Sequence, residues 1–252
     1  MVYITGDCHA DFSRFSTKWF PDQNNMTRDD IVIVLGDFGG VWCDTHQERH
    51  KLDWLAEKNF TLVFVDGNHE CFDRLYSDEF PIVDFHGGKA HQIRENIFHL
   101  IRGNVFTFEG KKFFAFGGAK SHDICDGVLR EEDYSSFREM IYNYNQMVLC
   151  GKMVRVEHCS WWKEELPSQE EMDFALKTLK KHKNRVDYII SHCAPQNVAA
   201  AMGFYEGDIL TKFFDTIDTN VQFDKWFFGH YHENETIMCK YNCLYERIER
   251  II

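Results

Sequence analysis

The chain has 252 residues, 44% of them apolar, with 23 Phe, 10 Tyr and 6 Trp, which is ample for one large core and far from a disordered composition. Its 28 Lys and Arg stand against 40 Asp and Glu, a formal net charge of −12 that argues against a broad nucleic-acid or anionic-membrane surface. No apolar run approaches the ~20 residues that span a bilayer. The start, Met1-Val2-Tyr3-Ile4-Thr5-Gly6-Asp7, also lacks the basic and apolar regions of a signal peptide, so a cytoplasmic protein is expected.

Taken in chain order, short apolar runs alternate with helical patterns. Val2–Thr5 reads as a buried strand, Phe12–Phe20 as a helix, Ile31–Leu35 as a strand and Thr45–Lys58 as a helix. Leu62–Val65 is a third strand, and Val105–Phe108 with Phe113–Phe116 forms a hairpin around Glu109-Gly110-Lys111. Residues 124–154 differ in texture. They are acidic at Arg130-Glu131-Glu132-Asp133, then amphipathic through Phe137, Met140, Ile141 and Tyr144, which suggests a helical insertion, either a packed surface helix, a lid or a partner surface.

Ser168 then caps a helix over Gln169–His182, with Glu171 at the capping-box position and Met172, Ala175, Leu176 and Leu179 on one face. Tyr188–Ile190, the helix Ile209–Ile217 and the strand Trp226–Phe228 complete the series. This alternation predicts one α/β domain over residues 1–252, with helices on both sheet faces and functional residues at the carboxyl ends of strands.

Nine cysteines, at 8, 43, 71, 125, 150, 159, 193, 239 and 243, include no CxxC pair. Free thiols are expected rather than disulfides or a thiolate zinc module, and Cys8 and Cys193 read as small buried residues.

Five clusters place Asp, Asn or His directly after a predicted strand: Gly6-Asp7-Cys8-His9, Gly36-Asp37, Gly67-Asn68-His69-Glu70, Ser191-His192 and Gly229-His230-Tyr231-His232. Carboxylate, amide oxygen and neutral imidazole suit Zn, Mn or Fe. A preceding Gly lets the backbone turn sharply off the strand. Asp7 and His9, two apart at a strand end, point to one face and can share an ion. His230 and His232 have the same spacing and either share an ion or, on a loop, splay towards two.

In order and context these clusters resemble the pattern DxH, GDxx, GNH[DE], a later H and GHxH of the calcineurin-like metallophosphoesterase superfamily, across residues 7 to 232. The resemblance implies a sandwich of two mixed β-sheets flanked by helices, four layers in the order αββα. It implies two divalent ions, Mn²⁺, Fe²⁺/Fe³⁺ or Zn²⁺. Asp7, His9 and His232 would hold one, Asn68, His192 and His230 the other, and Asp37 would bridge them. His69 would be a catalytic general acid, a metal-activated hydroxide the nucleophile, and Asn68 and His69 would also meet the substrate.

A more local resemblance is to small bacterial and phage-type members, through Gly117-Gly118-Ala119-Lys120-Ser121-His122-Asp123, Arg155 and Trp161-Trp162-Lys163-Glu164-Glu165. The spacing departs from theirs because residues 124–154 intervene. Arg155 is the arginine expected to reach substrate phosphate, since a guanidinium binds such oxygens in pairs. Trp161 and Trp162 either wall the pocket or pack in the core.

The expected function is therefore metal-dependent hydrolysis of a phosphoester. Imidazole titrates near working pH, which suits His69 to protonating a leaving alkoxide. Gly36-Asp37-Phe38-Gly39-Gly40 lacks the Asp-Arg-Gly of the Ser/Thr protein phosphatases, which argues against that type. Glu70 is expected to orient a neighbour by hydrogen bonding. The alternatives are a metal-binding scaffold without catalysis and a nuclease of the same superfamily. The first has no need of His69, and the second is disfavoured by charge.

Overall fold

In the computed structural model, which describes residues 1–252, the chain opens with β1 (Val2–Thr5), β2 (Ile31–Val34), α1 (His46–Ala56), β3 (Thr61–Phe64) and α2 (Phe72–Leu75). It continues through β4 (Ile82–Phe85), β5 (Gly88–Arg94), β6 (Ile97–Leu100), β7 (Asn104–Phe108), β8 (Lys111–Phe116), β9 (Val128–Leu129), α3 (Phe137–Leu149) and β10 (Arg155–Val156). The last part holds α4 (Gln169–Lys181), β11 (Tyr188–Ser191), α5 (Gln196–Ala201), α6 (Ile209–Asn220), β12 (Lys225–Phe228), β13 (Glu235–Ile237), β14 (Tyr241–Cys243) and β15 (Glu249–Arg250). No helix is long and apolar enough to cross a membrane.

Two mixed sheets result. One has seven strands in the order β15-β1-β2-β3-β6-β5-β4, parallel through β1-β2-β3-β6 and antiparallel at both ends. The other has six, β13-β14-β12-β11-β8-β7, parallel through β14-β12-β11-β8.

Side-chain parity explains the layering. Val2, Ile4, Ile31 and Ile33 of the first sheet join Phe113, Ala115, Ile190 and Phe227 of the second in one cluster, which is the inter-sheet core. Their neighbours Tyr3, Val32 and Val34 face α1 through Leu52 and Leu55, whereas Phe114, Phe116, Trp226 and Phe228 face α4 and α6. Strands covered on both sides must be apolar at every position, hence the continuous runs. The order helix, sheet, sheet, helix is the expected αββα arrangement.

The capping box of α4 forms, with Ser168 Oγ accepting the N–H of Glu171 at 3.2 Å and Glu171 Oε2 accepting that of Ser168 at 2.8 Å. Met172, Ala175 and Leu179 are buried, but Leu176 is 42% exposed and leaves the expected face. The β7–β8 turn is two residues long, with Glu109 and Gly110 at φ of 50° and 74°, the left-handed pair a tight hairpin requires.

Phe12–Phe20 departs from expectation, since only a 3₁₀ turn at Ser13–Phe15 forms there. The carbonyls of Phe15 and Phe20 accept Gln23 Nε2 at 2.9 and 2.8 Å, so a side chain takes acceptors that a helix would use. Phe12, Phe15 and Phe20 are buried all the same. The excursion over 124–154 is closed at its base by a parallel ribbon, Val128 opposite Arg155 and Leu129 opposite Val156. Of α3 only Met140 is fully buried.

Candidate metal centre

The exits of five strands meet at one edge of the sandwich, three from the first sheet and two from the second. Asp7 and His9 follow β1, Asp37 follows β2, and Asn68 and His69 follow β3. His192 follows β11, and His230 and His232 follow β12. Asp37 Oδ1 and His192 Nε2, remote in sequence and on different sheets, lie 3.3 Å apart.

The donor atoms of Asp7, His9 and His232 form one group within 4.8 Å of each other, and those of Asp7, Asp37 and His192 form another. His9 Nε2 is 3.1 Å from His232 Nε2, and His192 Nε2 is 3.2 Å from Asn68 Oδ1. The His230 ring stands 5.0 Å from that of His192. All seven expected ligands thus converge.

Their backbones are not those of strands. His9, Asp37, His230 and His232 have φ of 46°, 45°, 67° and 54°, so same-face alternation does not govern the pairs two residues apart. His230 accordingly faces His192 while His232 faces His9 and Asp7, the splayed alternative. Two glycines matter through space rather than torsion. A Cβ on Gly67 would stand 2.0 Å from Asp37 Oδ1, and one on Gly229 would stand 2.1 Å from Asp7 Oδ1. The carboxylates occupy the volume a side chain would fill.

Surrounding bonds aim each donor. The Nδ1 of His192 is 2.7 Å from the carbonyl of Leu35, so that nitrogen donates its proton there and Nε2 is the ring nitrogen turned to the site. The N–H of His230 donates to Asp7 Oδ1 at 3.0 Å, and that of His69 donates to Asp37 Oδ1 at 2.8 Å. Arg14 donates to the carbonyls of Asp7 and Tyr245, both at 2.6 Å, and so ties the Asp7–His9 loop to the C-terminal strands. Glu70, fully buried, accepts the N–H groups of Phe38 at 2.7 Å and Gly39 at 3.3 Å, which is the expected orienting role, directed at the loop behind Asp37.

Asn68 is fixed by a relay. Its Nδ2 donates to Ser121 Oγ at 3.2 Å, and that hydroxyl donates to Glu165 Oε2 at 2.6 Å, which leaves Asn68 Oδ1 for the site. Ser121 and Glu165 belong to the two local motifs, but nothing in their spacing showed that they touch. Trp162 is buried, with Nε1 donating to Asp73 Oδ2 at 2.7 Å, so the core-packing alternative holds for it.

Electrostatics tie the donors together. Burial opposes ionisation of Asp37, yet His192, His69 and His9 hold its carboxyl well below the usual range. Burial likewise opposes a charged His192, but Asp37 and Asp7 outweigh it and push the imidazole up to about 10. His230 is pushed down to about 3 by burial and by His192. Burial and Asp37 drive Glu70 well above the ordinary carboxylate range. His69 is lowered by burial, with Asp37 opposing and Arg155 reinforcing the shift.

Arg155 sits in β10, where its Nε donates to both carboxylate oxygens of Asp123 at 3.0 and 2.9 Å, its Nη2 binds the same group, and its Nη1 reaches the Ser160 carbonyl at 3.1 Å. Cys8, between Asp7 and His9, is buried and its thiol is pushed up to about 12 by that burial, which marks an inert thiol.

A cavity of about 980 Å³ is lined in part by Asp37, Asn68, His69, His230 and His232. No residue of α3 lines it. No curated protein matches the chain. A family model described as calcineurin-like phosphoesterase matches residues 1–234, the stretch that carries all five clusters, and the chain belongs to that family.

Proposed function

We propose that this chain hydrolyses phosphoesters with two divalent cations, Mn²⁺, Fe²⁺/Fe³⁺ or Zn²⁺, held by Asp7, His9 and His232 on one side and Asn68, His192 and His230 on the other, with Asp37 between them. The oxygen and imidazole donors fit such ions, and their aim is imposed from behind by Leu35, Ser121 and the backbone of His69 and His230. When bound, such ions supply Lewis acidity, lowering the pKa of water and offsetting phosphoryl charge.

The remaining work falls to side chains. Asp7 and Asp37 are the only carboxylates among the seven ligands, so the loaded site stays cationic and draws an anionic ester into a protein of net charge −12. His69, held beside Asp37 through its own N–H, delivers a proton to the departing oxygen. Asn68 orients the phosphoryl group beside it. Of the five N–H donors of Arg155, Asp123 and Ser160 engage three, and the other two remain for phosphate oxygens. The whole chain acts as one catalytic domain, with residues 124–154 as an insertion that carries Arg155 at its base.

The observation that carries this reading is the 3.3 Å approach of His192 to Asp37 from a different sheet. Protein reconstituted with Mn²⁺ is expected to turn over p-nitrophenyl phosphate or its bis ester. No turnover of either, with two ions per chain shown by elemental analysis, would sink the reading. His69→Ala should lower kcat roughly 10²–10⁴-fold without loss of bound metal.

A further inference from the structure

The cavity beside the metal centre is far larger than a phosphoryl group requires, and its wall is aromatic. Phe204 and Tyr205, from the loop after α5, line it together with Tyr231, which stands between His230 and His232. Phe204 packs on Tyr231 with ring centroids 4.7 Å apart, and the Tyr231 hydroxyl accepts the N–H of Ala194 at 3.3 Å. This part of the wall is anchored to the core.

Tyr205 is different. It is 80% exposed, and its ring and hydroxyl have no partner. Its backbone is nonetheless pinned, because Gln196 Nε2 donates to the carbonyls of Phe204 at 3.4 Å and Tyr205 at 3.2 Å. A large aromatic presented to a cavity on a tethered loop is a stacking surface without its ligand. Lys120, on the same cavity, has no carboxylate partner in a chain where acids outnumber bases 40 to 28. The His122 ring, also at the cavity, lies 6.1 Å from that of His230. Glu206, next to Tyr205 in the chain, adds an unengaged acceptor to the lining.

We propose that the substrates are nucleoside phosphates, with the phosphoester at the metal centre, the base against Tyr205 and Phe204, Lys120 facing a phosphate oxygen and Glu206 accepting from a ribose hydroxyl or exocyclic amine. This rests on the hydrolase reading above. Water adds across the bond between phosphorus and the nucleoside oxygen. The water oxygen stays on phosphate, and the nucleoside oxygen takes a proton from His69, which is restored by the proton that water gives up. A small alkyl phosphate would leave the aromatic wall facing solvent.

The test compares kcat/KM for adenosine 5′-monophosphate, glycerol phosphate and p-nitrophenyl phosphate on the metal-loaded full chain. The nucleotide is expected to be favoured over glycerol phosphate at least tenfold. Tyr205→Ala should shrink that ratio at least about fivefold, the lower end for one stacked base, and Tyr205→Phe should restore it. Equal efficiencies, or a ratio unmoved by Tyr205→Ala, overturn the proposal while leaving the hydrolase intact. Should p-nitrophenyl phosphate bind as tightly as the nucleotide and lose as much affinity in Tyr205→Ala, the wall reads any aryl ring and the nucleoside assignment falls. If nothing is hydrolysed, equilibrium binding decides separately. Tighter binding of the nucleotide than of glycerol phosphate, lost in Tyr205→Ala, upholds the wall, and equal binding removes it.

Discussion

Ser121 Oγ donates to Glu165 Oε2 at 2.6 Å, and through that hydroxyl the segment after Trp161-Trp162 governs which way the amide of Asn68 points. Ser121→Ala deletes the acceptor for Asn68 Nδ2, so the amide loses the contact that directs Oδ1 to the site. Mn²⁺ affinity, followed by calorimetric titration, is expected to fall roughly 10–100-fold, as for other partners of ligating groups. Ser121→Thr, which keeps the hydroxyl, should recover most of it. Unchanged affinity in the alanine variant would show that Asn68 is oriented by something else.

Glu70 bridges two buried loops by accepting from Phe38 and Gly39. Glu70→Ala leaves the buried N–H of Phe38 and the half-buried N–H of Gly39 unpaired. A loss of roughly 2–4 kcal/mol in urea unfolding is expected, since each orphaned donor costs about 1–3 kcal/mol. Glu70→Gln, with one carbonyl still available, should lose less. Because the same loop presents Asp37, Glu70→Ala should also bind Mn²⁺ more weakly.

His91 and His99 stack 5.3 Å apart with their Nδ1 atoms at 3.0 Å, and His99 Nε2 is 3.1 Å from Asp66 Oδ1. One proton fits between the two Nδ1 atoms, so the two rings cannot both carry a charge. Burial and His99 push His91 down to about 4. An unfolded histidine, with a pKa of about 6.5, binds its proton first. Stability from this group is therefore complete above pH 6.5 and declines as pH falls from 6.5 to about 4. The loss is at most about 3 kcal/mol by linkage. His91→Gln should flatten the slope of unfolding free energy between pH 6.5 and 4.5, and an unchanged slope would rule the residue out.

Arg155 is held by Asp123 at the base of the 124–154 segment. With its two free donors on phosphate, Arg155→Lys should raise KM for p-nitrophenyl phosphate about tenfold, equivalent to 1.4 kcal/mol, and change kcat less. If KM does not move, the arginine braces Asp123 and does not touch substrate. The same variant should weaken the ribbon of β9 and β10 only slightly, since the pair is partly solvated and worth roughly 1 kcal/mol.

Taken alone, the sequence determined which runs are buried strands, because a strand covered on both faces must be apolar at every position, as in Ile31–Val34 and Lys225–Phe228 after its first residue. It also determined where the candidate ligands lie, since Asp, Asn and His directly after such runs end up at strand exits. The tertiary structure alone decided how those exits meet: that β11 and β12 face β1 and β2 across the inter-sheet core, that left-handed torsions at His230 and His232 splay the two imidazoles, and that Ser121 finds Glu165. It also decided against a helix at Phe12–Phe20 and gave Arg155 a carboxylate partner. The physical reason is one of range. Periodicity and burial are written in neighbours along the chain, whereas a hydrogen bond or an ion pair depends on what the fold brings opposite.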